Sequence, residues 1–292
     1  MTSILILGGA SWNRMVHVDT LPQGNNATIT KARETYVAGS TGLGKAMALA
    51  ALGFRPVLHA AIGDDPHGRS IKEVCRSRGI QLIADIQPEP TPHHLNIMDK
   101  AGGRFSIFVS GEPEDPHLDE PRLAAAITAA DTIFISLSNA TRKALPMLTH
   151  AKAETLLDLH DYDGAKPWHS PFIAQADCIQ LSDVALQSAD QTIQSLLAGR
   201  AHQVILTKGE FGATHFRTEG STAVPAIPPK PRDANGAGDA FSVGFWYGQK
   251  QGLSVGDAGK IAAAMAAFAI ESAQLFPEEI TTRDGFLRAG LT

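Results

Sequence analysis

Residues 233–241 read Asp233-Ala234-Asn235-Gly236-Ala237-Gly238-Asp239-Ala240-Phe241, a run of small residues that passes directly into an apolar helical pattern reaching about Gln251. Glycines at 236 and 238 permit steep turns and leave the main chain open to close approach. The amides of the first helical turn have no acceptor inside the helix, so such a segment forms an anion pocket. Asp239 stands at its lip. There a carboxylate can take the proton of an attacking hydroxyl while the amides of Gly236, Ala237 and Gly238 hold the charge of a phosphoryl group in flight. The plainer alternative is a tight loop followed by a first-turn acid favoured by the helix dipole.

Two glycine-rich segments lie upstream. Thr207-Lys208-Gly209-Glu210-Phe211-Gly212 follows a predicted strand over 203–207. That is the carboxyl end of a parallel strand, where open α/β sheets bind ligands, although an ordinary hairpin turn would read the same way. Gly39-Ser40-Thr41-Gly42-Leu43-Gly44-Lys45-Ala46 nearly matches the phosphate-binding pattern of glycine, four residues, glycine, lysine and a hydroxyl residue. Ala46 removes the hydroxyl that would hold Mg²⁺, and Thr35-Tyr36-Val37-Ala38 is a poor launching strand. The loop reads better as a glycine-lined wall for a small polar substrate, with the Ser40 and Thr41 hydroxyls as partners.

Outward from these segments the pattern alternates. Strands are expected over 4–7, 56–62, 80–86, 132–137, 155–159, 178–181 and 203–207, and helices over 45–52, 66–78, 121–130, 143–152, 189–197, 238–251 and 255–272. This predicts an α/β fold with a central, mostly parallel sheet covered by helices on both faces. Two excursions interrupt it: a polar stretch over 20–36 with a short β-like run at Thr28-Ile29-Thr30, and a hairpin pairing 95–98 with 105–109. Together they suggest a small second sheet.

At 292 residues, 43% of them apolar and 19% charged, the chain can bury a sizeable core. Its 30 acidic against 25 basic side chains, a formal charge of −5, argue against nucleic acid as a partner. Cys75 and Cys178 show neither disulfide nor metal spacing, as expected in a reducing compartment. The apolar run Ile4–Leu7 is too short for a leader or a bilayer span, so no membrane association and a cytoplasmic location are expected. Eleven histidines lack metal-ligand spacing, while Asp158, Asp161 and Asp163 form an acidic cluster that could serve a metal–water network or be an ordinary acidic loop.

The glycine loop at 39–44, Thr207–Gly212 and Asp233–Asp239, in that order, resemble the ribokinase/PfkB family of carbohydrate kinases over essentially the whole chain. The resemblance implies a ribokinase-like fold: a large domain from 1–12, 37–90 and 110–292, and a small β lid from 13–36 and 91–109. It implies ATP-dependent transfer of the γ-phosphoryl group to a hydroxyl of a small sugar or sugar derivative, with Mg²⁺ on the nucleotide and K⁺ as a further cofactor candidate. Asp239 would be the base and Gly236, Ala237 and Gly238 the anion hole. Thr207, Gly209, Gly212 and Asn235 would contact the nucleotide; Ser11, Asn13, Gly39, Ser40, Thr41 and Arg104, with Asp239, the substrate. Asp183 would assist Mg²⁺ and Asp233 a monovalent cation. A homodimer through the lids is a further implication.

Three positions depart from the family pattern: Asn13 replaces a substrate-gripping aspartate, Gly44 an asparagine, and Ser182-Asp183 stand in an Asn-x-x-Glu segment. Asn13 can still bond a hydroxyl but brings no charge, which speaks against ribose. A nucleoside kinase, with Trp12, Tyr36 or Phe108 as apolar walls, is the nearest alternative. A catalytically weak metabolite binder is another, opposed by the intact 236–239 segment.

Overall fold

A computed structural model describes residues 2–24, 26, 28–100, 103–230 and 235–291. In chain order its elements are β1 (Ile4–Leu7), β2 (Ser11–His17), β3 (Arg33–Gly39), α1 (Thr41–Ala51), β4 (Val57–Gly63), α2 (Pro66–Ser77), β5 (Gln81–Gln87), β6 (His93–Met98) and β7 (Arg104–Ser110). They continue with α3 (Glu120–Ala129), β8 (Thr132–Ser136), α4 (Asn139–Ala144), β9 (Glu154–Asp158), α5 (Ser170–Ile173), β10 (Cys178–Ser182), α6 (Ala189–Leu197) and β11 (Gln203–Thr207). The last are β12 (Ala213–Arg217), β13 (Gly220–Val224), α7 (Ala237–Lys250), α8 (Val255–Glu271) and α9 (Thr282–Arg288).

The main sheet has the order β13-β12-β11-β10-β9-β8-β1-β4-β5, and every pairing from β11 to β5 is parallel. Alternation of side chains explains why β1 is apolar throughout. Ile4 and Ile6 enter the core beneath α1, α7 and α8, whereas Leu5 and Leu7 enter the opposite one with Leu123, Ile127, Ile193 and Leu196 of α3 and α6. The strand order reverses beside β1, which opens a crevice at the carboxyl ends of the strands. A second sheet, β3-β2-β6-β7, stands apart from the first; β2 runs antiparallel to β3 and parallel to β6, and β6 and β7 form the expected hairpin.

The differences from expectation have local causes. Ser11–His17 is a strand whose cavity-facing side carries Asn13, so its apolar alternation is broken where a polar residue is used. Thr28-Ile29-Thr30 lies in no strand; the second sheet draws instead on β3. The helix expected over 143–152 is α4 followed by a 3₁₀ turn at Leu145–His150, because Pro146 cannot donate to an α-helical ladder. Thr207–Gly212 both ends a parallel strand and turns into the antiparallel β12.

Candidate active site

The small sheet, the starts of α1 and α7 and the segment 273–275 enclose a cavity of about 330 Å³. Asn13, Gly39, Ser40, Thr41, Arg104, Asn235, Gly236 and Asp239 border it, together with His94, Asn96, Ser106 and Phe108 of β6 and β7. Ser11 does not line it: its hydroxyl is buried beside Gly39 without a protein partner. Of the three aromatic walls considered for a nucleobase, Phe108 alone borders the cavity, its ring centroid 4.0 Å from that of His94.

The floor is the start of α7. Gly236 caps it with φ 79°, and a Cβ there would lie 2.4 Å from the Leu275 carbonyl oxygen, so only glycine fits. Ala237, Gly238 and Asp239 form the first turn, whose amides lack acceptors within the helix. Gly238 is exposed, and its carbonyl accepts from Gln180 Nε2 of β10 at 2.9 Å, which fixes the turn against the sheet. Arg104 Nη1 donates to Asn235 Oδ1, joining β7 to the loop before α7.

Asp239 is 5% exposed. Its Oδ1 lies 2.5 Å from Nζ of Lys45, a fully buried lysine in the second turn of α1. The same Nζ is 3.1 Å from Oδ2 of Asp158 at the end of β9, and His160 Nδ1 is 3.7 Å from that oxygen. Burial pushes the Asp239 carboxyl up; Asp158 adds to this, Lys45 and His160 oppose it, and the net direction is up. Burial would lower the Lys45 ammonium, yet Asp239 and Asp158 more than offset it and hold it charged. Asp158 is held below the ordinary carboxylate range, the effect of burial being outweighed by His160 and Lys45.

Lys45 is the residue that sequence reasoning passed over. It entered only through the near match to a phosphate loop, and the structure corrects that match further: Lys45 is tied between two carboxylates instead of facing a nucleotide. Two members of the acidic cluster have separate partners. Asp158 faces Lys45, and Asp163 accepts from the amides of Ala165 and Lys166. Among the described residues no group of three His, Cys, Asp or Glu side chains is arranged to hold a metal ion.

On the β10–β11 side, the Thr207 hydroxyl donates to the Leu181 carbonyl at 3.2 Å, and the Thr207 carbonyl accepts from the amide of exposed Asp183 at 3.0 Å. Gly209 (φ 54°) and Gly212 (φ 83°) shape the following turn. A Cβ on Gly212 would lie 2.1 Å from the Val224 carbonyl oxygen, so this glycine serves the close approach of β13. Asp233 falls outside the described residues.

A buried carboxylate in the first turn of a helix, bordering a small cavity on a ribokinase-like α/β fold, accords with the class of the chain, a phosphotransferase with an alcohol group as acceptor. The chain belongs to the pfkB family of carbohydrate kinases, whose model matches residues 1–278. It is 30% identical over 262 residues to the acarbose 7(IV)-phosphotransferase of Actinoplanes sp., covering 86% of each chain. The structure of a microbiome-derived acarbose kinase superposes with TM-score 0.88 at 26% identity, covering 99% of both chains. The Arabidopsis thaliana ribokinase complexed with ribose and ATP superposes with TM-score 0.81 at 18% identity, over the full length of both.

Proposed function

We propose that the protein transfers the γ-phosphoryl group of ATP to a hydroxyl of a small sugar or sugar derivative held between Asp239 and the small sheet. The observation that carries this is the placement of Asp239 in the first turn of α7 and at the same time on the cavity floor. Asp239 accepts the proton of the acceptor hydroxyl, the oxygen attacks the γ-phosphorus, and the bond to the leaving ADP breaks. The amides of Ala237 and Gly238 hold the equatorial oxygens meanwhile. Gly238 is exposed and a Cβ on it would meet only Gln180 Nε2, at 3.7 Å, so the turn is open to approach at this position. Mg²⁺, carried mainly by the nucleotide phosphates, would neutralise their charge when bound, with Asp183 as the carboxylate that the family resemblance assigns to assist it. K⁺ is tested by replacing potassium with sodium salts in the same assay.

The cavity lies at the small end of the ~300–1,000 Å³ range of ligand sites, which suits one or two rings. Asn13, Ser40, Thr41, Asn96 and Ser106 offer hydroxyl partners, and Arg104 a charged one. The small sheet acts as a lid that excludes water, which would otherwise compete for the phosphoryl group. The His94–Phe108 pair favours a nucleoside as the second reading, since a base can stack there. A homodimer through the lids and a cytoplasmic setting complete the proposal. Two buried free thiols support that setting, and among the described residues no helix is long and apolar enough to cross a membrane.

The test is coupled ADP release with Mg-ATP against sugars, sugar acids, oligosaccharides and nucleosides. Asp239→Asn is expected to lower kcat by about 10²–10⁴-fold with folding retained. Specific binding without turnover in the parent protein would assign it as a metabolite binder instead.

A further inference from the structure

We infer that Lys45 is the positioning residue of this site: bridging Asp158 and Asp239, its ammonium pins Oδ1 of the base and leaves Oδ2, over the bare Cα of Gly44, for the acceptor hydroxyl. This deepens the phosphotransfer reading and rests on it.

The geometry joins Gly44, one of the departures from the family pattern, and the neighbouring Lys45 into one device. A Cβ on residue 44 would lie 2.6 Å from Asp239 Oδ2 and 3.1 Å from Cγ, so with Asp239 pinned the position admits no side chain. The next residue then supplies the cation, its side chain wholly removed from solvent and two of its three donors used by carboxylates. A carboxylate this deeply buried without a counter-charge would hold its proton at neutral pH and could not act as a base. One paired with a cation of its own would be a weak base. Sharing the ammonium with Asp158 places Asp239 between these extremes. The charged and titratable groups facing the centre are Lys45 from α1, Asp158 from β9, His160 from the segment after β9 and Asp239 itself from α7.

Opposite effects follow for the two partners. Removing Lys45 takes away attraction and drives the Asp239 titration upward; neutralising Asp158 takes away repulsion and drives it downward. The experiment uses protein labelled with ¹³C at aspartate carboxyls, the Asp239 signal being identified by its loss in Asp239→Asn. Titration of the resting enzyme is expected to move up by at least ~1 pH unit in Lys45→Met and down in Asp158→Asn, with Lys45→Arg close to the parent. In turnover of the accepted alcohol, the acid limb of kcat follows those shifts. For Lys45→Met, kcat at pH 7 falls about tenfold or more, while KM for ATP stays within about twofold.

A merely structural lysine would lower the melting temperature without moving the titration in either variant, and that result overturns the inference. Should Lys45→Met fail to fold, Asp158→Asn and Lys45→Arg decide: an unmoved titration in Asp158→Asn overturns it equally. If the parent phosphorylates no alcohol, the phosphotransfer reading fails, and the titration of the resting protein still decides the role of Lys45.

Discussion

Ser40 joins β3 to α1 with φ 77° and ψ 153°, a conformation that only glycine adopts without strain, at a cost of about 1–3 kcal/mol for other residues. It borders the cavity next to Thr41, so the strain sits at the proposed acceptor site. Ser40→Gly is expected to relieve it. After the extra flexibility that glycine brings to the unfolded chain, the net gain is about 1 kcal/mol, read as a rise of roughly 2–4 °C in the calorimetric Tm. A lower Tm would show that the hydroxyl contributes more than the strain costs. Residues of the site differ in how far the sequence revealed them. Gly236–Asp239 were legible as the glycine turn and helix start that meet the cavity, because these features are contiguous in the chain. Lys45 was not, since its partners are 113 and 194 residues away and only the folded sheet brings them together. Gly44 looked like the loss of a side chain until the Asp239 carboxylate was seen above it.

Strands buried on both faces were the easiest to read: β1 and β11 lie where the apolar pattern put them, as does α6, which buries one face through Ile193 and Leu196. Elements whose pattern is bent by a proline or by a cavity-facing polar residue, such as α4 and β2, were not. The C-terminal α9 went unread because its seven residues are too few to be stable alone. Contacts secure it. Thr281 and Asp284 form a capping box, Arg288 makes two 2.7 Å hydrogen bonds to Glu271 of α8, and its guanidinium lies 4.5 Å from the Phe268 ring. Hydrogen bonds from Arg288 and the Lys230 amide hold the Glu271 carboxyl down at about 2. A depressed carboxylate contributes stability above its unfolded value near 4.5 and loses it as the pH falls through about 2. Glu271→Gln is therefore expected to cost about 1 kcal/mol at pH 7, or roughly 2–4 °C in Tm. The gap to the parent should close on acidification through that window. A gap independent of pH would place the loss in packing rather than charge.

At the scale of the whole molecule, β7 has two tasks. Among the described residues it pairs with β6 alone, as the edge of the small sheet, and Arg104, Ser106 and Phe108 reach the cavity. The alternate residues Phe105 and Ile107 face the other way, 58% and 40% exposed. A free apolar edge of this kind is ordinarily covered. Covering it with the same strand of a second copy would stiffen the strand that carries Arg104 to Asn235, coupling association to closure of the cavity. Sedimentation velocity of the parent protein is accordingly expected to show a dimer at the concentrations used for kinetics, and Phe105→Asp a monomer. Phe105 lies outside the cavity lining, so any kinetic change in that variant reports on the small sheet as a whole: KM for the acceptor alcohol should rise several-fold while the pH limb assigned to Asp239 stays in place. A monomeric parent, or a monomeric variant with unchanged KM, would separate the proposed covering of the cavity by the small sheet from association and leave each small sheet to serve its own chain.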